Sequence, residues 1–493
     1  MDEPRNLGKT KASASAADIE LASSTSAGDI VIASSTSAAE FVVGASEAEF
    51  VLRASAESHI TIPGVKIPFH KESKTLSHLR CIYRVPKRLR RGNEEAYTPQ
   101  VVSIGPLHHG NEHLKAMEEH KTRYLRHFLS RPGVSYRHCI NMITNQVENL
   151  RGFYAESIVS EKKKIFQKTK KESDKFVEVV LADAAFVIEL LLRYYCITKE
   201  LEDDYGQGED DYILKNPGMF WDVRPDLRLL ENQLPFFILR DLFDTAFSSS
   251  PQLPSLLKIS YHFFKKEIDG KGKKENFSKL LSSGEEVKHF VDLIRILYRP
   301  LEPKKKSTDK YNITATPNVT KLHQVGVKFE VRNGSSLFDI KFSRGILEIP
   351  KLTVNDTTEL TLRNFLAFEQ CHHGEEDFLA NYVFLMGLLA KTPKDVQLLV
   401  EKEIIENWQG DTEKISTWLH DLGTGMMLHN HYYAPLCKEL KDYRKNPWHG
   451  WMVILKQKYF NTLWAGISFV AAGILLALTL IQTACSYKSA PLL

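Results

Sequence analysis

Cysteine is scarce in this sequence, and the few cysteines lie far apart. The 493 residues include six, and no two of them form a Cys-x-x-Cys pair: Cys81, Cys139, Cys196, Cys371, Cys437 and Cys485. Zinc clusters need closely spaced cysteines, and disulfide-stapled domains need a dense cysteine framework. The sequence therefore indicates neither class, and we expect reduced thiols and no metal site.

The sequence also lacks a strong net charge and the motifs of common enzyme classes. Its 65 basic and 61 acidic residues give a formal net charge of +4, which is too small to predict a nucleic-acid partner. No Gly-x-Ser-x-Gly, P-loop or dinucleotide-binding fingerprint occurs, so we expect no cofactor. The N-terminus has no apolar core of the length that a secretory signal needs, which argues against that export route.

Residues 1–57 carry a degenerate repeat of short apolar runs and Ser/Ala-rich tracts. The units read DIELASSTSAG from Asp18, DIVIASSTSAA from Asp29, EFVVGASEA from Glu40 and EFVLRASAE from Glu49. No unit is long enough to bury its own apolar residues, so we predict a disordered arm. Pairing of the short runs into weak β-strands is the alternative.

The main domain is predicted to cover residues 76–460, and it begins with a basic, loop-rich segment. This segment carries Arg84, Lys87, Arg88, Arg90 and Arg91. A solvated or salt-bridged edge is the favoured interpretation of so short a charge run. A nuclear address and a contact with acidic lipid are the alternatives.

Most of the main domain has the apolar periodicity of helices. Residues recur every three or four positions over 112–129, 141–158, 176–195, 227–247, 253–266, 285–297, 359–371, 377–389, 395–401 and 413–421. After a polar linker at 300–317, short runs at 325–331, 337–342 and 346–349 predict a small antiparallel β meander within 325–350. The predicted fold is mainly α, a multi-helix globular body with this meander and one C-terminal transmembrane helix.

The transmembrane helix is predicted at 462–484, followed by a short tail at 485–493. Within it, the uncharged run from Leu463 to Ile481, as a helix rising about 1.5 Å per residue, covers nearly the whole roughly 30 Å hydrocarbon core, so we expect the lipid bilayer as a partner. More Lys and Arg precede the run than follow it, which favours a cytoplasmic body at the plasma membrane or an endomembrane. Small residues such as Gly466 and Gly473 would let a second copy approach and form a homodimer. The predicted anchor residues are Leu463, Trp464, Ile467, Phe469, Val470, Ile474, Leu475, Leu476, Leu478, Leu480 and Ile481.

Five Asn-x-Ser/Thr sequons point toward the opposite orientation. They begin at Asn276, Asn312, Asn318, Asn333 and Asn355. Such sites are glycosylated only in the secretory lumen. They lie in polar, loop-like sequence where Asn, Ser and Thr also serve turns, so the charge bias carries more weight.

Three acids stand out because they lie in otherwise apolar helical sequence: Asp183, Glu231 and Glu369. Paired buried carboxylates could act as acid and base in glycoside or ester hydrolysis if two of them converged on a cleft. The favoured alternative is structural: each acid binds backbone amides, Asn232, Gln233 or a basic partner such as Arg228 or Arg363. Before Pro235, such side chains can bond backbone groups freed by a break in the helix.

Histidines cluster between residues 108 and 127. Along one helix, His113, His120 and His127 repeat every seven residues, which places neighbours about 10 Å apart and too distant to hold one metal ion. Only His109 and His113 have the spacing of a helical metal pair. We therefore predict no metal centre.

Several long blocks in a fixed order resemble the plant family called domain of unknown function 247. The blocks are YTPQVVSIGPLHHG from Tyr97, DLRLLENQLPFFIL from Asp226, GVKFEVRNGSSLFDIKFSRGILEIPKL from Gly326, RNFLAFEQC from Arg363 and the C-terminal apolar run. The resemblance covers about residues 76–487. The matching motif residues include Pro106, His108, His109, Gly110, Leu230, Glu231, Asn232, Gln233, Pro235, Asn364, Glu369 and Gln370. Family members typically have Asp-Gly-Cys-Phe where this chain has Asp183, Ala184, Ala185 and Phe186.

The resemblance implies a plant-restricted, single-pass membrane protein without an established enzymatic activity. Some grass members are associated with pollen-side recognition in self-incompatibility. Our first hypothesis is a non-catalytic recognition or signalling component that acts through an unidentified protein partner. A membrane-tethered hydrolase and a structural membrane adaptor are the alternatives.

Overall fold

The structure is a computed structural model in which the chain forms two compact units, residues 1–75 and 76–493. It describes residues 32–35, 38–45, 48–54, 59–62, 65–68, 79–155, 170–200, 211–248, 250, 252–265, 273–300, 313–334, 336–372, 376–448, 451 and 463–488. The predicted linker at 300–317 and the predicted tail at 485–493 lie largely outside these residues.

The described part of the N-terminal unit is an antiparallel sheet. Its strands are β1 (Ile32–Ser35), β2 (Ala38–Ala45), β3 (Ala48–Ala54), β4 (His59–Ile62) and β5 (Val65–Pro68). Each strand pairs with the next along the chain, so two consecutive repeats, EFVVGA and EFVLRA, lie side by side as β2 and β3. Strand pairing was the alternative to disorder for these repeats, and residues 1–31 lie outside the described part.

The described part of residues 79–300 is mainly helical. Its helices are α1 (Lys87–Arg90), α2 (Ala116–Leu129), α3 (Tyr136–Asn145), α4 (Val147–Gly152), α5 (Lys170–Lys199), α6 (Tyr212–Lys215), α7 (Pro217–Asp226), α8 (Phe236–Ala246), α9 (Leu256–Phe264), α10 (Lys273–Ser283) and α11 (Phe290–Tyr298). The central one is α5, which is buried on nearly all sides between Phe176 and Leu192 and packs against α2, α3, α8 and α9. A helix that is apolar on every side has to be buried in this way.

One of the predicted helices is divided, and another is shorter than predicted. The helix expected at 141–158 ends at Asn145 and resumes as α4, and the one expected at 227–247 is α8 alone. Pro235 has no backbone N–H and disfavours helical geometry in the residue before it. The segment 227–235 therefore leaves the helical path, and α8 begins at Phe236.

The second half of the unit mixes helices with two small sheets. The strands are β6 (Lys328–Val331), β7 (Lys341–Ser343), β8 (Ile346–Ile349), β9 (Leu352–Val354) and β10 (Ile405–Asn407). The helices are α12 (Val319–Gln324), α13 (Thr358–Cys371), α14 (Phe378–Leu389), α15 (Pro393–Glu401), α16 (Thr412–Leu422), α17 (Ala434–Lys445) and α18 (Leu463–Lys488). The mainly helical prediction is confirmed.

The predicted antiparallel meander at 325–350 is corrected by the strand order β6-β8-β7. A turn at Arg344 and Gly345, both with positive φ, closes the antiparallel hairpin of β7 and β8, whereas β6 pairs with β8 in parallel. The alternating pattern fixes which face of each strand is buried, but it does not name the neighbouring strand. Residues 332–340 carry the chain across, so that β8 lies between the other two.

The predicted transmembrane helix is also corrected. Within the described ranges, none of the helices combines the length and the apolar character that a membrane crossing requires. The prediction that residues 462–484 cross a membrane is therefore wrong.

Candidate functional site

The segment between α1 and α2 has little regular structure, and buried side chains from the body bind its backbone. Asp226 accepts hydrogen bonds from the backbone N–H groups of Gln100, Val101 and Val102 at 2.7–2.9 Å. Asn232 accepts one from Ile104 N–H at 2.7 Å and donates to the Val102 carbonyl. These side chains replace the backbone partners that a helix or sheet would provide.

The non-helical segment 227–235 supplies several of these side chains. Gln233 donates to the carbonyls of Leu227 and Leu229 and accepts from the N–H of Phe290, at the start of α11. Leu230 N–H donates to Asn364 on α13 at 2.9 Å, and Asn364 donates to the Ala96 carbonyl at 2.7 Å. Asn232, Gln233 and Asn364 therefore connect the segment 227–235 to α7, α11 and α13 and to the segment that follows α1.

Glu231 lies at the centre of a buried charged cluster, called here the Glu231 cluster, with Val85, Arg84, Arg90 and His108. Its Oε1 accepts from Val85 N–H at 2.6 Å and from Arg90 Nη2. Its Oε2 lies 3.1 Å from His108 Nε2 and 3.8 Å from Arg84 Nη1. The Glu231 side chain is 0% exposed, whereas that of Arg84 is 42% exposed and leads to the surface.

Opposing effects act on the pKa of Glu231. Burial by itself raises this pKa, but the His108 side chain, the Arg90 charge and the Val85 N–H outweigh it and hold the pKa below its usual range. The carboxylate is consequently ionised at neutral pH and serves as an anchor for two arginines. An acid in catalysis would need the opposite, a raised pKa.

Asp183, on α5, is paired elsewhere in the core. Its Oδ1 lies 2.7 Å from Lys121 Nζ, and its Oδ2 accepts from Gly105 N–H at 2.8 Å. Both charged side chains are only 1% exposed, and Lys121 also binds Glu118 on the same helix. Burial raises the pKa of Asp183 to about 6, although the Lys121 charge opposes this.

Glu369, near the end of α13, binds the start of α14. Its two oxygens accept from the N–H groups of Leu379 and Ala380, each at 3.0 Å. Burial raises the pKa of Glu369 to about 8, since these two hydrogen bonds only partly offset the loss of solvent. The carboxyl group thus satisfies two N–H groups that a helix start leaves without intrahelical partners.

The three acids have separate partners. Among the described contacts, no hydrogen bond or ion pair joins Asp183, Glu231 and Glu369 to one another. Of the basic side chains named as possible partners of these acids, Arg228 donates to Thr361 and Arg363 donates to Glu359. Sequence reasoning also missed Lys121, whose signal was a single charge on the otherwise apolar stripe of α2.

The histidines of the predicted stripe contact protein groups. Over the part of the chain that the structure describes, no group of three or more His, Cys, Asp or Glu side chains could hold a metal ion. In the predicted stripe, His113 binds the Pro99 carbonyl and His120 stacks on Tyr212. These contacts tie the start of α2 to its surroundings.

Hydrogen bonds join α1 to the loop at 423–428. Arg88 donates to the Gly425 carbonyl and to Gln370 Oε1, and Gln370 binds both the N–H and the carbonyl of Met427. Gly425 has a φ of +77°, and a Cβ there would lie 2.6 Å from the Arg88 carbonyl oxygen. Only glycine allows the loop to approach α1 this closely.

The sequons differ in the contacts of their asparagines. Asn276 is buried, and its Nδ2, the atom that a glycan would occupy, donates to the carbonyls of Leu297 and Arg299. Asn318 Nδ2 donates to Asp395 at 2.8 Å, and Asn355 Oδ1 accepts from two threonines in its own turn. Asn333 is exposed, and Asn312 lies outside the described residues.

Comparison with known proteins gives a family but no solved structure. The chain is 26% identical over 441 residues to the UPF0481 protein At3g47200 of Arabidopsis thaliana, which covers 83% of this chain and 86% of that protein. It is 20% identical over 494 residues to the Putative UPF0481 protein At3g02645 of the same plant, with 81% and 89% covered. No solved structure matches the chain. The family model described as "Plant protein of unknown function", DUF247, matches residues 82–478, and the chain belongs to this family.

Proposed function

We propose that this protein is a non-catalytic recognition component that acts through contacts with another protein. The observation that carries the proposal is the use of its buried acids. Asp183, Glu231 and Glu369 each hold backbone N–H groups, and two of them also hold basic side chains. The polar residues that most resemble catalytic groups thus hold the backbone near α1, the segment that follows it and the start of α14 in place.

A fixed surface is what a recognition protein needs. Binding costs less free energy when the groups that contact the partner are already ordered in the free protein. The Glu231 cluster and the Gln370 contacts order α1 and the loop at 423–428 in this way. Self-incompatibility-type recognition, as in some grass relatives, is the more specific form of this proposal.

The hydrolase alternative has less support. Hydrolysis by two carboxylates requires both groups at one cleft, within about 5–10 Å of each other and of the substrate. Glu231 and Asp183 are at most 1% exposed, and Glu369 is buried against the first turn of α14. A protonated Glu369 at neutral pH could donate a proton, but its two oxygens face backbone amides.

Chemical cross-linking of the full chain in plant tissue, followed by identification of the partner and reconstitution from purified proteins, tests the proposal. We expect a defined complex between the two purified proteins, and no turnover of glycosides or esters by the purified chain. Glu369→Gln serves as the catalytic control, because an acid that performs chemistry cannot be replaced by its amide without loss of rate.

The contrary outcome has two parts. If no partner forms a complex with a Kd below about 10 μM, and the chain hydrolyses a defined substrate at a rate that Glu369→Gln abolishes, the recognition proposal is wrong. Glu94→Gln is the matched control for Glu369→Gln, since it makes the same chemical change at a solvent-exposed acid, which contacts Arg90. Its activity should equal that of the unmodified chain in either case.

A further inference from the structure

We infer that the surface formed by α1 and the loop at 423–428 binds an acidic segment of the partner protein. We call it the α1 surface and define it by Arg84, Lys87, Arg88, Arg91 and Met427. The inference rests on the recognition function proposed above and adds the place and the chemistry of the contact. Charge, rigidity and an exposed apolar side chain support it.

The charge of this region has one dominant sign. Between residues 80 and 91 the chain has six basic residues and no acidic one. The acids whose contacts or sequence place them beside this segment are the buried Glu231, Glu94 and Glu95 shortly after α1, Asp421 close to Gly92, and Glu359, which accepts from Asn93 and pairs with Arg363. Basic groups therefore remain in excess, while the chain as a whole is close to neutral. A local positive potential of this kind attracts and orients acidic partners.

The basic side chains stand on a rigid base. Arg90 points inward to Glu231, and its guanidinium also lies 5.4 Å from the ring of Tyr97. Arg88 binds across to the Gly425 carbonyl, so α1 and the loop form one continuous surface. Lys87 and Arg91 are exposed on this surface. Because the backbone beneath them is fixed, binding would order only the ends of these side chains.

Met427 gives the surface an apolar contact point. Its side chain is 57% exposed, while Gln370 holds its backbone N–H at 2.7 Å and its carbonyl at 2.8 Å. Methionine adapts its shape to a partner, and methionine and arginine are both enriched at protein interfaces. Basic side chains on α1 and an exposed methionine on the loop that Arg88 and Gln370 join to it suit a peptide with acidic and apolar residues better than they suit a uniformly charged lipid surface.

The experiment uses the full chain and a fluorescein-labelled peptide of about twelve residues that alternates Glu with Leu. Fluorescence anisotropy measures its affinity at about 0.1 M salt and again at about 0.5 M. The double variant Lys87→Glu/Arg91→Glu changes exposed side chains only. The matched control, Lys391→Glu/Lys394→Glu, makes the same charge change at two exposed lysines beside and within α15.

We expect the Lys87→Glu/Arg91→Glu variant to bind at least about tenfold more weakly, the control to stay within about twofold, and high salt to weaken binding. Met427→Ala should weaken binding severalfold with little change in its salt dependence. Equal losses in the two double variants would overturn the inference, because the effect would then depend on net charge alone. Binding to vesicles of about 30% phosphatidylserine, without binding to the peptide, would also overturn it in favour of a lipid surface.

The proposed function can survive the failure of this inference. A partner found by cross-linking that binds the Lys87→Glu/Arg91→Glu variant as well as it binds the unmodified chain would rule out the α1 surface and leave recognition in place. If no protein partner exists, the proposed function fails whichever way the peptide behaves.

Discussion

Replacing Glu231 by glutamine tests whether the Glu231 cluster anchors α1. The substitution keeps the size of the side chain and one oxygen, which can still accept from Val85 N–H. It removes the negative charge that pairs with Arg90, His108 and the more distant Arg84.

The expected loss follows from burial. A hydrogen bond to a charged group contributes about 1.5–3 kcal/mol, and removal of one partner from a buried ion pair costs about 3–5 kcal/mol. Arg90 retains Glu94, and Arg84 can be solvated by water, so part of this loss is offset. We expect Glu231→Gln to lower the free energy of unfolding by about 2–4 kcal/mol.

The stabilisation that the Glu231 carboxylate contributes depends on pH. The folded-state pKa of Glu231 lies below its unfolded value, so the stabilisation is complete above the unfolded pKa of about 4.3. It is lost as the pH falls from the unfolded pKa through the folded pKa, because over this range the unfolded state binds a proton that the folded state does not. The difference between the unmodified chain and Glu231→Gln should therefore be constant from pH 8 to about 5 and should shrink below that.

Urea unfolding followed by circular dichroism, at pH 7 and at pH 4, measures both effects. Glu94→Gln is the control, because Glu94 contacts the same Arg90 but is 68% exposed, and an exposed pair contributes at most about 1 kcal/mol. Equal losses for the two variants, or a Glu231→Gln loss that does not change with pH, would refute the anchoring role of the buried acid.

Three further tests, which use five substitutions, address other parts of the fold. Gly105→Ala should lower the free energy of unfolding by about 3 kcal/mol or more, because φ is +73° and the new Cβ would lie 2.5 Å from a backbone oxygen. Gly110→Ala, with φ +75° and open space around the new Cβ, should lower it by about 1 kcal/mol. Similar urea midpoints for the two variants would contradict this. Asn276→Gln should lower stability by about 2 kcal/mol, because the buried amide donates to two carbonyls, whereas the same change at the exposed Asn333 should cost less than about 0.5 kcal/mol. The reverse order would show that the buried amide is dispensable. Since burial raises the pKa of Glu369 to about 8, the folded state retains a proton that the unfolded state loses near pH 4.5. Stability should therefore fall as the pH rises from 4.5 to 8, and Glu369→Gln should reduce the slope of stability against pH. The same slope in the variant and the unmodified chain would exclude the raised pKa.

The sequence by itself determined the helical character of the chain and the positions of its special polar residues. Apolar periodicity is a local property, so α5 and α13 could be located without knowledge of their neighbours. The cost of burying a charge is also local, which is why Asp183, Glu231 and Glu369 could be recognised as groups that require partners. The break before Pro235 was predictable because proline has no backbone N–H to donate, although the length of the non-helical segment was not.

Only the tertiary structure decided which partners these groups have. Arg90 and Glu231 are 141 residues apart in sequence, and nothing in the local pattern distinguished Arg90 from the other basic residues of its segment. The parallel pairing of β6 with β8 likewise depends on the path of residues 332–340, because an alternating strand pattern fits either direction of a neighbour. Periodicity and burial cost follow from a residue and its near neighbours, whereas ion pairs and strand order depend on how distant segments meet when the chain folds.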